Sequence, residues 1–212
     1  MKKFEALKFD LNQCLKEMTE FKIFLDTKLE LNEKEDILPF FKQRAHLSAF
    51  IGSFNPNISS YDKIAYEFDL WGDFRTDIAV GDSQFNAYCF IEFEEAKPNS
   101  VFRKVGNKST TEWAPRFEHG LSQLVDWFYK LEDQRATREF RNKFGGEDVT
   151  YTGILVVGRS FFISGEDQSR LNWRSDKMVL NSVPILCLTF DELYERLDNR
   201  LKLFRPTHEV DI

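Results

Sequence analysis

Between Ile64 and Glu95 the apolar residues abandon helical spacing for alternation, and this change of period constrains the fold more than any other feature of the chain. Ile64, Tyr66, Phe68 and Leu70 alternate with polar neighbours, and after Gly72-Asp73 so do Phe74, Thr76, Ile78 and Val80. Alternation places one set of side chains on each face of an extended segment, so two antiparallel strands joined by a short turn are predicted. Gly81-Asp82-Ser83 marks a second turn, and Ala87 to Glu95, apolar until Glu92, reads as the third strand of a meander.

The flanks keep helical spacing. From Glu5 to Leu29 the apolar residues Leu7, Leu11, Leu15, Met18, Phe21, Phe24 and Leu25 recur at intervals of three and four, which predicts an amphipathic helix. Asn32 and Glu35 resemble a capped start for a second helix reaching Phe50, with Pro39 in its first turns, and the Asn-, Ser- and Pro-rich stretch Gly52 to Ser60 ends this section. Beyond the meander, residues 103–112 are polar enough for a mobile loop, and a helix is predicted from Pro115 to Lys143, stopped by Gly145-Gly146. Gly153 to Val157 and Val183 to Leu188 are short apolar runs suited to buried strands, with helices expected over Gln168 to Met178 and Asp191 to Leu201. The expected class is α/β of the α+β-like kind: a mixed sheet of about five strands, a meander joined to a parallel crossover and flanked by helices. A helical N-terminal section, 1–55, is expected to pack on a core, 56–212, as one compact unit.

Composition supports a packed core and narrows the class. Twenty-two Phe in 212 residues supply the apolar material, and Cys14, Cys89 and Cys187, odd in number and far apart, read as buried thiols rather than as a disulfide framework. The opening MKKFEALKFDLNQC lacks the continuous apolar stretch of a secretion signal, and the sequence contains no apolar run long enough for a membrane span, so a cytoplasmic protein without membrane partners is expected. A net charge of −6 excludes a protein coated in basic surface but leaves room for local patches. Arg135, Arg138, Arg141 and Lys143 read as a solvated helix face or as phosphate contacts, and Arg103, Lys104 and Lys108 cluster after the third strand. Trp71, Trp113, Trp127 and Trp173 read first as core or interface residues and second as surfaces for base stacking.

Chemistry concentrates on the second and third strands. Glu92 and Glu94 share one face of the third strand, and Asp77 shares a face of its neighbour with Arg75 and Ala79, so Asp77 stands beside Glu92 if the register permits. Carboxylates on a central strand are costly to desolvate without a compensating cation. Mg²⁺ or Mn²⁺ would supply it, since hard divalent ions prefer oxygen ligands. On spacing alone, residues 92–95 read first as an acidic strand end emerging into solvent, with Glu94, Glu95 and Lys97 solvated.

Asp77 followed by Glu92-Phe93-Glu94 after an apolar run resembles the PD-(D/E)xK nuclease pattern, an acid on one strand facing an acid-x-lysine pair on the next. The segments EFKIFLDTKLELNEKEDILPFFKQRAHLSAFI, FIEFEEAKPNSVF, RFEHGLSQLVDWF and PILCLTFDELYERL resemble the Shedu family, over a span from about Glu20 to Leu197. The resemblance implies a restriction-endonuclease-like fold, Mg²⁺-dependent endonuclease activity on DNA in antiphage defence, and a homo-oligomer. It implies Asp77 and Glu92 as metal ligands, Glu94 as a further ligand or an aid to water activation, and Gln123 as the residue that positions water or phosphate. The chain departs from the pattern at Glu94, where the pattern carries lysine; Glu95 with Lys97 is the alternative acid-x-lysine pair, on the opposite strand face. His119, beside Glu118, is an alternative water-orienting residue, and Arg159, directly after GILVVG, is a candidate phosphate ligand. The missing lysine and the acidic charge also fit a nucleic-acid-binding or sensor module that keeps the nuclease fold without catalysis.

Overall fold

A computed structural model of the chain describes residues 3–180 and 182–204. In chain order it contains β1 (Glu5–Ala6), α1 (Leu11–Thr27), a π-helical turn (Glu33–Ile37), α2 (Leu38–Lys42), α3 (Ala45–Phe50), a 3-10 turn (Ile51–Phe54), β2 (Lys63–Leu70), β3 (Phe74–Asp82) and β4 (Ala87–Phe93). Then follow β5 (Phe102–Arg103), β6 (Glu112–Trp113), α4 (Pro115–Gln134), α5 (Arg138–Phe144), β7 (Thr150–Val156), a 3-10 turn (Ser160–Phe162), α6 (Gly165–Lys177), β8 (Val179–Leu180), β9 (Val183–Leu188) and α7 (Phe190–Phe204).

The sheet runs in the order β1-β2-β3-β4-β7-β9-β8. β2, β3 and β4 form the antiparallel meander, with Tyr66 opposite Ile78 and Val80 opposite Cys89. β4, β7 and β9 are parallel, and α4–α5 and α6 make the two crossovers. These are the five strands expected, extended at each edge by a two-residue strand. Alternation divides the core between two faces. Ile78, Val80, Ile91 and Phe93 pack with Phe21, Phe41, Phe50 and Leu197 from α1–α3 and α7. Ala79, Phe90 and Leu155 pack with Leu124, Trp127 and Phe128 of α4 and with Phe140 and Phe144 of α5. All three cysteines are buried free thiols, and burial pushes the thiols of Cys14 and Cys187 up to about 12.

Helix boundaries depart from periodicity where a local hydrogen bond intervenes. α1 starts at Leu11 rather than near Glu5, because the Asp10 carboxylate accepts the amides of Asn12 (2.8 Å) and Gln13 (3.2 Å) as an N-cap. Glu5 and Ala6 instead add an edge strand to β2. The predicted helix from Asn32 to Phe50 is broken into short pieces. Pro39, in the first turn of α2, has no amide to donate and crowds the preceding turn, where the chain widens so that the Ile37 amide bonds the Asn32 carbonyl at 3.1 Å. The predicted helix from Pro115 to Lys143 is two helices, since the Thr137 hydroxyl accepts the Phe140 amide (3.1 Å) and restarts the chain in a new direction. Residues 103–112, expected to be a mobile loop, are closed at their ends by the β5–β6 ribbon, in which Phe102 pairs with Trp113.

Candidate active site

The site lies where β3 and β4 part. Their ladder runs from Asp82 opposite Ala87 to Ile78 opposite Ile91. One residue further, the Asp77 side chain takes over the ladder: its Oδ2 accepts the Phe93 amide at 2.8 Å. Asp77 and Glu92 share the face that carries Ala79 and Phe90, and their carboxyl groups are hydrogen-bonded to one another. The opposite-face arrangement that would have separated them does not occur.

Helix α4 crosses this fork with Arg116, Gly120 and Gln123 on one stripe, at spacings of four and three. The Gln123 amide donates to Glu92 Oε1. Glu92 is 6% exposed and Glu94 1%. Arg116 Nη1 lies 3.2 Å from Glu94 Oε2, and the Glu94 amide continues the parallel ladder by bonding the Val156 carbonyl at 2.9 Å. α4 makes its close approach at Gly120, where a Cβ would stand 2.5 Å from Leu155 Cδ1 and 3.0 Å from Glu94 Cγ, so a side chain there would force one of them to shift.

Two contributors escaped the sequence reading. Glu33, in the π-helical turn, lies with Oε2 3.8 Å from Arg116 Nη1. It is brought there by a backbone bridge in which Leu31 and Ala96 exchange amide–carbonyl bonds of 3.0 and 2.9 Å. Arg116 is the second: it faces Glu33 and Glu94, and its Nε is 3.9 Å from Glu95 Oε1. The i, i+4, i+7 stripe of Arg116, Gly120 and Gln123 was a readable signal for Arg116, whereas Glu33 is placed by a long-range bridge that no local spacing encodes.

The electrostatics are those of crowded, poorly solvated acids. Burial is the largest influence on each carboxyl and raises it. For the Asp77–Glu92 pair, titrating as a unit, the direction is upward: mutual repulsion and the charges of Glu33 and Glu94 add to burial, against the Phe93 amide at Asp77 and the Gln123 amide at Glu92. Glu94 is pushed up to about 8 by burial and by Glu33 and Asp77, with Arg116 opposing.

The remaining candidates are placed as follows. Lys97 Nζ bonds Glu95 Oε2 at 2.8 Å, so this acid–lysine pair is closed on itself at the strand end. His119 is exposed on α4, between Arg116 and Gln123 in helical order. Arg159, expected as a phosphate ligand, is 5% exposed with its donors committed elsewhere. It bonds both oxygens of Asp191 (2.9–3.1 Å) and the carbonyls of Lys28 (2.7 Å) and Leu25 (3.0 Å), tying the end of α1 to the start of α7. The bonds engage four of its five N–H groups in joining α1 to α7.

The donor set of Asp77 and Glu92 is all oxygen and lacks adequate positive charge, which fits a hard divalent cation in kind. Among the described residues no three His, Cys, Asp or Glu side chains are spaced to hold one cation together. Asp77 and Glu92 are therefore the residues that would hold such an ion, while Glu94 is engaged by Arg116.

Residues 31–194 match the family model described as Shedu protein SduA, C-terminal. The chain belongs to the Shedu family. A search among curated proteins found no match. In this Shedu domain the matched span opens at Leu31, two residues before Glu33, and closes within α7, so it contains every residue of the fork. The family places the chain in the setting of antiphage defence. Among the described residues no helix is long and apolar enough to cross a membrane.

Proposed function

We propose that this Shedu domain is a Mg²⁺- or Mn²⁺-dependent DNA endonuclease of the PD-(D/E)xK type, acting in antiphage defence in the cytoplasm as a homo-oligomer. The observation that carries the reading is the Asp77–Glu92 carboxyl pair at the strand fork, Asp77 half-buried and Glu92 buried, with an amide donor from Gln123 on one side and a backbone amide on the other. Asp77 and Glu92 would hold the ion, which when bound polarises the phosphodiester and lowers the pKa of an attacking water. Gln123 fixes the Glu92 carboxylate so that one oxygen stays directed into the pocket. Glu94 takes the place of the pattern's lysine. With Oε2 facing Arg116, its Oε1 is the atom available to accept the proton of the water. Arg116 positions Glu94 and supplies the positive charge that the lysine would otherwise bring.

Plasmid nicking with Mg²⁺ or Mn²⁺ tests this. Asp77→Asn and Glu92→Gln are each expected to lower cleavage at least ~100-fold, in line with loss of a metal ligand or its immediate support. Cleavage equal to the parent in both would reject the assignment.

A second reading is favoured by one observation, the Glu94–Arg116 ion pair that stands where the pattern has a lysine. A domain that kept the fold and lost hydrolysis would retain DNA without cutting it under any divalent ion. Its affinity would fall with salt as counterions are released from the phosphates.

A further inference from the structure

On the far side of α4 from the fork, α6 carries Glu166, Ser169, Arg170, Trp173, Arg174 and Lys177 on one face, at helical spacings of three and four. With Trp113 this face lines a groove of about 690 Å³. The floor is a stack of flat groups. Trp113 lies against Phe102 (4.4 Å between ring centroids) and Phe117 (4.6 Å), and the Arg174 guanidinium sits 4.5 Å from the Trp113 ring centre, with Arg170 at 5.5 Å. Both guanidinium groups are held in place: Arg174 is bidentate to Glu118 at 2.7 and 3.1 Å, and Arg170 bonds Asp167 at 2.7 Å and the Thr111 hydroxyl at 2.8 Å. The wall is Trp173, whose large apolar surface is 67% exposed.

An indole left in water beside an ordered layer of rings and guanidinium planes is a slot for another flat group. The rim indicates what carries that group. Lys177 is exposed on α6, and the neighbouring β5–β6 ribbon exposes Arg103 and Lys104, with Lys108 paired to Glu112 at 2.6 Å, in a chain of net charge −6. We infer that the Trp113–Trp173 groove binds single-stranded DNA, with a base stacked on Trp173 and the phosphates following Lys177 and the β5–β6 ribbon. Aromatic platforms combined with a basic track are the general solution for unpaired strands. The groove and the fork lie on either side of α4: Glu118, which holds Arg174, is two residues from Arg116, which holds Glu94. The choice of DNA rests on the proposed nuclease reading, whereas the stacking site does not depend on catalysis.

The test is binding of a fluorescein-labelled oligo(dT) to the full chain in EDTA, where no hydrolysis occurs, read by anisotropy and by quenching of tryptophan emission. Trp173→Ala is expected to weaken binding about tenfold, the range measured for loss of one base–aromatic stack, and Trp173→Tyr to restore most of it. Thermal unfolding of the exposed-site variants should match the parent. Equal affinity in parent and Trp173→Ala overturns the inference. So does a Trp173→Ala protein that dissociates from an oligomer in light scattering while keeping its oligo(dT) affinity, which would assign the groove to self-association. Because plasmid nicking is scored separately, a chain that binds oligo(dT) through Trp173 and cuts nothing would leave this site standing and remove the nuclease.

Discussion

Glu94 shows how one residue joins pattern and exception. Burial raises its carboxyl from the ordinary 4.5 to about 8, so the folded chain holds that proton more tightly than the unfolded one. Such a group contributes most to stability below its unfolded pKa, and the contribution is lost as pH rises through the folded value. In EDTA, thermal stability is therefore expected to decline between about pH 4.5 and 8. Glu94→Gln should flatten that decline and stabilise the metal-free protein at pH 8 by roughly 2 kcal/mol, because a buried charge is replaced by a neutral amide. Calorimetry across that range checks both; a Glu94→Gln profile parallel to the parent would show that the carboxyl is better solvated than its burial indicates. The convergence of Asp77 with Glu92 was legible, because period-2 alternation fixes faces and a short turn fixes neighbours. The partners of Glu94 were not, since Arg116 reaches it from a helix more than twenty residues away and Glu33 from the other end of the sequence.

At the level of elements, α4 decides how closed the site is. Gly120→Ala would improve helix propensity by up to about 1 kcal/mol in isolation. Here its methyl would meet Leu155 Cδ1 at 2.5 Å and Glu94 Cγ at 3.0 Å. The helix is expected to back away, at a net cost of about 1–3 kcal/mol typical of overpacking. Urea unfolding should register that loss, and nicking should fall with it as Gln123 is withdrawn from Glu92; a variant as stable and active as the parent would mean that Leu155 simply changes rotamer. Element existence was readable almost throughout, because each long strand and helix carries its own period. Boundaries were less so: the caps at Asp10 and Thr137 act through one or two local hydrogen bonds and Pro39 through a missing donor, effects that periodicity averages away.

Across the whole molecule, the N-terminal section and the sheet are bound into one structure by buried polar clamps as well as by packing. Arg159 joins Leu25 and Lys28 of the first helical segment to Asp191 of the last helix. Arg159→Ala is expected to destabilise by about 3 kcal/mol, since it removes the cation from a largely buried ion pair and leaves the Asp191 carboxylate with the Ser160 amide alone. The slope of DNA affinity against salt should not change, because no phosphate contact is lost. A reduced slope at unchanged stability would reverse that assignment and return Arg159 to the DNA surface. The sequence placed Arg159 correctly at a strand end, but only the folded chain shows that α1 and α7 already occupy its donors. One consequence follows from the way Asp77 substitutes for a backbone carbonyl in the sheet. The rung it forms with the Phe93 amide is made by an ionisable group, so loss of its charge weakens a hydrogen bond between two central strands, which a backbone carbonyl in its place would not allow.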